Sequence, residues 1–349
     1  MISKDKIDSI LSDYKKPCIA TFCSHTALQI FHGARQEGIR TIGICTPEKR
    51  ALYDSFTLAR PDEYVTVQSA PDMKKVVDRL VEKNAIVVPH GSFVEYVGEA
   101  VDDLQIPFFG NRKSLYFERS RQRMFSWLKS AGIRMPQTLS PDKIDRPCIV
   151  KFPGAKGGRG YLLVKTPDEF YSRVKNPQGV LVQEYLIGVR TYPHYFHSKI
   201  SKDGYHAGNG IVELMGMDQR MESNVEECYR EVAMGVDVKP TFTVIGNREM
   251  VIRESLLSEI MEMGKRAVES ADRLFGGMPG PFCIECIVDE NLNFHAFEIS
   301  ARIVAGTNIY PMGSPYSFYR YTEPMSMGRR IAREIKSAAK KKMLQKTCY

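Results

Sequence analysis

Nowhere in this chain does an apolar run approach the ~20 residues that cross a bilayer, which removes a membrane-spanning role from consideration. No secretory leader is legible at the N-terminus. There is no basic stripe interleaved with aromatics, so nucleic acid is not an expected partner despite a net charge of +8. Internal repeats and low-complexity tracts are also missing. The cysteines at 18, 23, 45, 148, 228, 283, 286 and 348 are scattered, mostly in apolar runs. They read as reduced thiols of a cytoplasmic protein. Cys283 and Cys286 have no second pair at zinc-finger spacing. On a strand, an offset of three points the two thiols to opposite faces, so they read as packed core residues. The same geometry removes His194 and His197 as a metal pair.

What is present is an ordinary globular composition, 43% hydrophobic and 26% charged, over 349 residues. That length is too great for one simple core and calls for two domains. Up to residue 112, short apolar runs at 18–22, 41–45 and 86–89 alternate with helix-period patterns. One pattern contains Leu28, Phe31 and Ala34; another contains Met73, Val76, Val77, Leu80 and Val81. Alternation of this kind predicts an α/β, Rossmann-like domain with a parallel sheet. Ligands of such sheets sit beyond the carboxyl ends of the strands. Two polar loops fall there, one with Ser24 and His25 and one with His90, Gly91 and Ser92. The stretch 110–112 reads as a linker, followed by one helix over 115–131 and a strand over 147–152. The rest, 113–349, mixes strands and helices without a βαβ rhythm and is expected to be α+β. A basic amphipathic helix closes it at 328–342, with Ile331, Ala332, Ile335 and Ala339 on one face; solvated charges or a partner surface would both explain it.

Chemistry concentrates in three segments. Lys151 ends an apolar strand and leads into a run with Gly154, Lys156, Gly157, Gly158, Arg159 and Gly160. Glycines let backbone N–H groups approach phosphate oxygens, and the two cations offset the charge. The G-K-[ST] ending of a Walker A loop is absent, and a surface turn is the alternative reading. A lysine inside a strand calls for an anionic partner. Gln183, Glu184, Tyr185 and Leu186 end another apolar strand and could offer backbone groups to a base. Glu285 and Glu298 lie inside apolar strands thirteen residues apart. With a two- or four-residue turn they become diagonal neighbours about 7–8 Å apart, a span one Mg²⁺ can bridge; an odd turn puts them on opposite faces. Arg253 and Arg302 sit at strand ends, suited to clamping phosphate or carboxylate, or to surface ion pairs.

Strand lysine, glycine loop, hinge and acidic strand pair, in this order, resemble the ATP-grasp superfamily. Further segments extend the likeness nearly end to end: Ser24-His25-Thr26, the stretch from Val87 to Phe93, Phe109 to Arg112, Met217 to Ser223, Arg253 to Leu257, and Ser326 to Glu334. Together they are similar to the FAICAR synthetases, formate-dependent ligases of purine synthesis. The resemblance implies a Rossmann-like pre-ATP-grasp domain at 1–112 and a two-lobed ATP-grasp domain at 113–349. It implies ATP with Mg²⁺ (or Mn²⁺) as cofactor, AICAR and formate as substrates, and a homo-oligomer. His25, Ser92 and Asn247 fall where the family binds AICAR. Glu222, the Lys151 strand and the 184–186 hinge fall at the ATP site, and Glu285 and Glu298 at the metal. Lys151, Arg253, Glu285 and Glu298 are the expected catalytic groups, acting through formyl phosphate. Two departures stand out: Ser300 where many ATP-grasp enzymes carry Asn, and Val304-Ala305 where Asp-Gly is expected. A relative using another small acid or amine, and a non-catalytic nucleotide binder, remain alternatives.

Overall fold

The computed structural model describes residues 1–156, 159–222, 233–235 and 243–349, and describes no side chains between 153 and 159. The first helix, α1 (Lys4–Ser12), precedes strands β1 (Cys18–Phe22), β2 (Thr41–Cys45), β3 (Glu63–Thr66) and β4 (Ala85–Val87). These form a parallel sheet in the order β3-β2-β1-β4. Every residue of β1 and β2 is buried, as expected for strands covered on both faces. Helices α2 (Ala27–Gln36), α3 (Arg50–Ser55) and α4 (Val77–Glu82) lie between the strands in sequence. The helix expected around Met73 is divided: a 3₁₀ turn covers Ala70–Lys75 before α4 begins. The strand expected at 86–89 starts one residue earlier and ends at Val87, two residues before Pro89.

The single helix expected over 115–131 is two, α5 (Arg112–Glu118) and α6 (Arg121–Ser130). Ser120 breaks the run with extended backbone (φ −117°, ψ 116°) and caps α6 by accepting the Arg123 N–H. A small antiparallel sheet follows, ordered β6-β5-β7, from β5 (Cys148–Lys156), β6 (Arg159–Val164) and β7 (Leu181–Glu184). Helix α7 (Pro167–Arg173) packs on it through Phe170.

The larger antiparallel sheet runs β11-β10-β8-β12-β13. Its strands are β8 (Val189–Ser198), β10 (Gly210–Glu222), β11 (Val244–Glu249), β12 (Gly280–Val288) and β13 (Phe294–Ser300), with β9 (Tyr205–Ala207) paired on β10. Helix α8 (Leu257–Phe275) covers one face and ends at Gly276, whose φ of +87° forms the left-handed cap. Tyr195, Phe282, Ile284 and Cys286 share that core with Trp127, whose indole donates to Ala267 of α8. Cys283 packs with Tyr192 and Val304 instead.

After the short α9 (Pro315–Phe318), helix α10 (Met327–Lys340) lies against α2. Ile331, Ala332, Ile335 and Ala338 are its buried apolar residues, while Ala339 is only partly buried. Charges on this basic helix are not all solvated: Arg330 is buried between Glu213 and Glu334 (2.9 Å to each). No helix among the described residues is long and apolar enough to cross a membrane.

The α2–α10 crossing depends on two glycines. A Cβ on Gly33 would meet the Arg329 backbone N at 2.1 Å, and one on Gly328 the Gln29 carbonyl O at 2.1 Å. Backbone cannot yield as a side-chain tip can, so Gly33→Ala is expected to destabilise the protein by about 3 kcal/mol. Urea unfolding of the full chain checks this; an unchanged midpoint would contradict the crossing.

Candidate active site

Five residues, 289–293, connect β12 to β13. In a regular ladder that odd turn would send Glu285 and Glu298 to opposite faces. A bulge corrects it: Cys286 pairs with Ala296, Phe297 is the extra residue, and Glu285 pairs directly with Glu298. The expected diagonal placement is therefore replaced by a directly opposed pair on one face.

Glu285 is buried, and both its oxygens accept from the Arg220 Nη groups at 2.8 Å. Arg220 is on β10 and Glu285 on β12, with β8 between them. The guanidinium reaches across by lying over the Tyr192 ring of β8, 3.9 Å from its centroid. Glu298 faces a large cleft. Its carboxyl is pushed up to about 7, first by loss of water and then by the charge of Glu285; Arg220 opposes the rise. Ser300 Oγ, two residues on, is buried and makes no hydrogen bond among the described residues.

The cleft has a volume of about 1660 Å³. Lys151 and Tyr161 line it beside Glu298, with Ser24, His25 and Ser92 from the N-terminal loops and Arg302 also in the lining. The direct partner of Lys151 is not the carboxylate expected of it: Nζ donates to the Gln183 amide oxygen at 2.9 Å. Burial lowers its ammonium to about 8, the Arg121 charge adds to this, and Glu298 and Glu285 oppose it. Gln183 also donates to the Pro136 carbonyl, and the Glu184 carboxylate accepts the Gln137 N–H. Backbone N–H groups of Glu184 and Tyr185 are taken by the carbonyls of Gln137 and Pro147. Glu222 is paired with Arg190. Gly157, Gly158 and the side chains of Lys156 and Arg159 lie outside the described residues.

On the other wall, His25 adopts φ of +54° and its ring stacks on His90, centroids 5.3 Å apart and planes within 3°. A Cβ at position 91 would come within 2.7 Å of His25 Nε2, so the ring would have to shift to admit one. Ser24 and Ser92 hydroxyls bond at 2.8 Å. His90 donates from Nε2 to the Phe22 carbonyl (3.0 Å) and accepts the Ser92 N–H at Nδ1 (3.3 Å), which fixes one neutral tautomer. Burial depresses both rings, His25 to about 2 and His90 to about 3; the charges of Arg302 and Arg220 also act on His25.

Of the expected residues, Gln183, Glu184, Tyr185, Leu186, Glu222, Asn247, Arg253 and Glu285 are not in the cleft lining. Asn247 donates to Asp218 Oδ2 (2.6 Å), while His194 holds Oδ1 of the same buried carboxylate (2.7 Å). Arg253 is exposed at the start of the 3₁₀ turn before α8. Conversely, the sequence reading passed over Arg220, Asp218 and Glu118. The first two lie inside the segment from Met217 to Ser223 already singled out, so their polar residues on a buried strand were the available signal. Glu118 carried none.

A strand lysine beside the cleft-facing member of an acid pair in one large cleft, next to a Rossmann-like sheet, is the arrangement of an ATP-grasp protein. Solved structures agree. The biotin carboxylase domain of Hydrogenobacter thermophilus 2-oxoglutarate carboxylase shares the fold at a TM-score of 0.65 and 14% identity, over 92% of this chain and 70% of its own. An IMP biosynthesis protein, PurP, from Thermococcus kodakaraensis matches at a TM-score of 0.76 and 31% identity, covering 95% of this chain and 100% of that one. Family models described as domains or proteins of unknown function match residues 172–348 (DUF1297) and 19–139 (DUF1246). The 5-formaminoimidazole-4-carboxamide-1-(beta)-D-ribofuranosyl 5'-monophosphate synthetase of Methanococcoides burtonii is 48% identical over 97% of this chain and 98% of its own length. The chain belongs to this FAICAR synthetase family.

The buried histidines make stability depend on acid. Below pH ~6.5 the unfolded chain takes up protons that the fold refuses until about pH 3 at His90, so stability falls as pH drops through that window. His90→Gln is expected to flatten the decline in melting temperature between pH 7 and pH 5. Equal slopes in the two proteins would contradict this.

Proposed function

We propose that this chain is an ATP- and formate-dependent ligase that converts AICAR to FAICAR and releases ADP and phosphate. The observation that carries the reading is one continuous cleft lined by His25 and Ser92 at one wall and by Lys151 and Glu298 at the other, with Arg302 also in its lining. Formate is a poor acyl donor because its leaving group would be oxide. Transfer of the ATP γ-phosphoryl to a formate oxygen gives formyl phosphate, whose leaving group is phosphate. The 5-amino group of AICAR then attacks the formyl carbon, the carbon–oxygen bond to phosphate breaks, and the amine loses a proton. No enzyme nucleophile is needed.

Lys151 supplies positive charge to the phosphates, and its lowered pKa still leaves it largely protonated at neutral pH. Glu285 and Glu298 are hard oxygen donors on one face, and two residues on from Glu298 is the Ser300 hydroxyl, without a partner among the described residues. That set fits Mg²⁺, or the similarly hard Mn²⁺. Among the described residues no third carboxylate, histidine or cysteine joins them, so the remaining ligands would be substrate phosphates. When bound, the ion would neutralise charge on the transferring phosphoryl group. His25 and Ser92, with Asn247 held by Asp218, are assigned to AICAR, and the hinge from Gln183 to Leu186 to adenine, with Glu222 assigned to ATP. Arg253 is retained as a further phosphate contact from outside the described lining. A cytoplasmic homo-oligomer completes the proposal.

A second reading, the same chemistry on another small acid or amine, draws on one observation. Val304 is buried against Tyr192 and Cys283 beneath the site, where the family resemblance calls for a different pair.

ADP release with AICAR and Mg-ATP, with and without formate, tests the function, the product being identified by mass. Formate-dependent ADP release with FAICAR formed is the expected result; ADP release without FAICAR would favour the second reading. Glu298→Gln should lower the rate by about 10²-fold or more without unfolding the protein. A near-normal rate at saturating Mg-ATP would contradict its role.

A further inference from the structure

Arg302 follows β13 and lines the cleft. Its guanidinium is anchored along one side. Nε donates to Glu118 Oε1 at 3.0 Å, and Nη1 reaches the Ile303 carbonyl at 3.4 Å. Nη2 has no hydrogen bond among the described residues. Glu118 Oε2 accepts the Ala301 N–H at 2.8 Å, so one carboxylate grips both the guanidinium and the backbone just before it. The Glu118 side chain is 4% exposed, that of Arg302 13%.

Two features single this arginine out. It lines the same cleft as His25 and Glu298, and its charge acts on both. Arg220, the other arginine near both, has each Nη engaged on Glu285. Arg302 thus lines the cleft with its guanidinium anchored along one side and, among the described residues, Nη2 left for a ligand. An acid as small as formate offers little except its two oxygens, and a guanidinium edge is the group that matches them.

We propose that Arg302 holds the small carboxylate substrate and that Glu118, from the end of α5, is the positioning residue that fixes it there; this rests on the ligase reading above. A guanidinium freed from Glu118 would rotate among rotamers and lose the two-point geometry, even though its charge remained.

The test is a titration of the full chain, with Mg-ADP present, against ¹³C-formate followed by NMR, alongside ADP affinity by calorimetry. Glu118→Gln should weaken formate at least fivefold and leave ADP affinity within twofold. Arg302→Lys, which keeps charge but not the fork, should weaken formate at least tenfold. Equal formate binding by wild type and both variants would overturn the assignment. So would parallel loss of formate and ADP in Glu118→Gln, or no formate binding by the wild type. A wild type that binds formate in the expected pattern but makes no formylated product would contradict the ligase function and still support this subsite.

Discussion

Two carboxylates set side by side on neighbouring strands repel each other, and the surroundings of Glu285 and Glu298 are arranged around that repulsion. Each response comes from a different element. Arg220 crosses over Tyr192 from two strands away to cover both oxygens of Glu285. Lys151 approaches from the small sheet, and Arg302 from the chain just after β13. Even so, Glu298 is held near neutrality, with a pKa of about 7. Glu298 is thereby left as the carboxylate of the pair that faces the cleft, while Glu285 is covered by Arg220.

The chain that follows the acid pair also joins the two halves of the molecule. Ile303 forms a bridge to His90 of the N-terminal loop, and Asn308 donates to the His25 carbonyl. Gln29 of α2 donates to the Thr307 carbonyl and accepts the N–H of Gly328 at the start of α10. Gly306 packs on the Asp218–His194 pair, leaving no room for a Cβ. One loop thus carries Arg302 into the cleft, orders the loop that bears His25, and rests on the carboxylate that holds Asn247. Amine, acid and phosphoryl donor can be aligned because their supports share this segment.

Much of this was legible in the sequence where the signal is local. β1 and β2 are continuous apolar runs because both faces are covered, and such runs can be read directly. The lysine strand and the acidic strands were legible for the opposite reason: charge in an apolar run is costly without a purpose. What failed depended on geometry at a distance. The helix over 115–131 has no proline or glycine before its end, yet Ser120 divides it as the cap of a second helix, and Glu118 at the end of the first bonds Ala301 and Arg302 far along the chain. The placement of Glu298 opposite Glu285 turns on one extra residue, Phe297, and a bulge leaves no compositional mark. Likewise the pairing of Lys151 with an amide rather than a carboxylate reflects which strand lies beside it. Arg220 was visible as a residue but not as a partner, since strand order is not written in strand sequence.

The most direct test of the account follows the oxygen atoms of formate. Full-length enzyme, AICAR, Mg-ATP and [¹⁸O₂]formate are incubated, and the released phosphate is analysed by mass spectrometry. Activation through formyl phosphate predicts one ¹⁸O in each phosphate released and one retained in the formyl group of FAICAR. Formation of FAICAR with unlabelled phosphate would contradict it, because the formate oxygen would then never have been bonded to phosphorus.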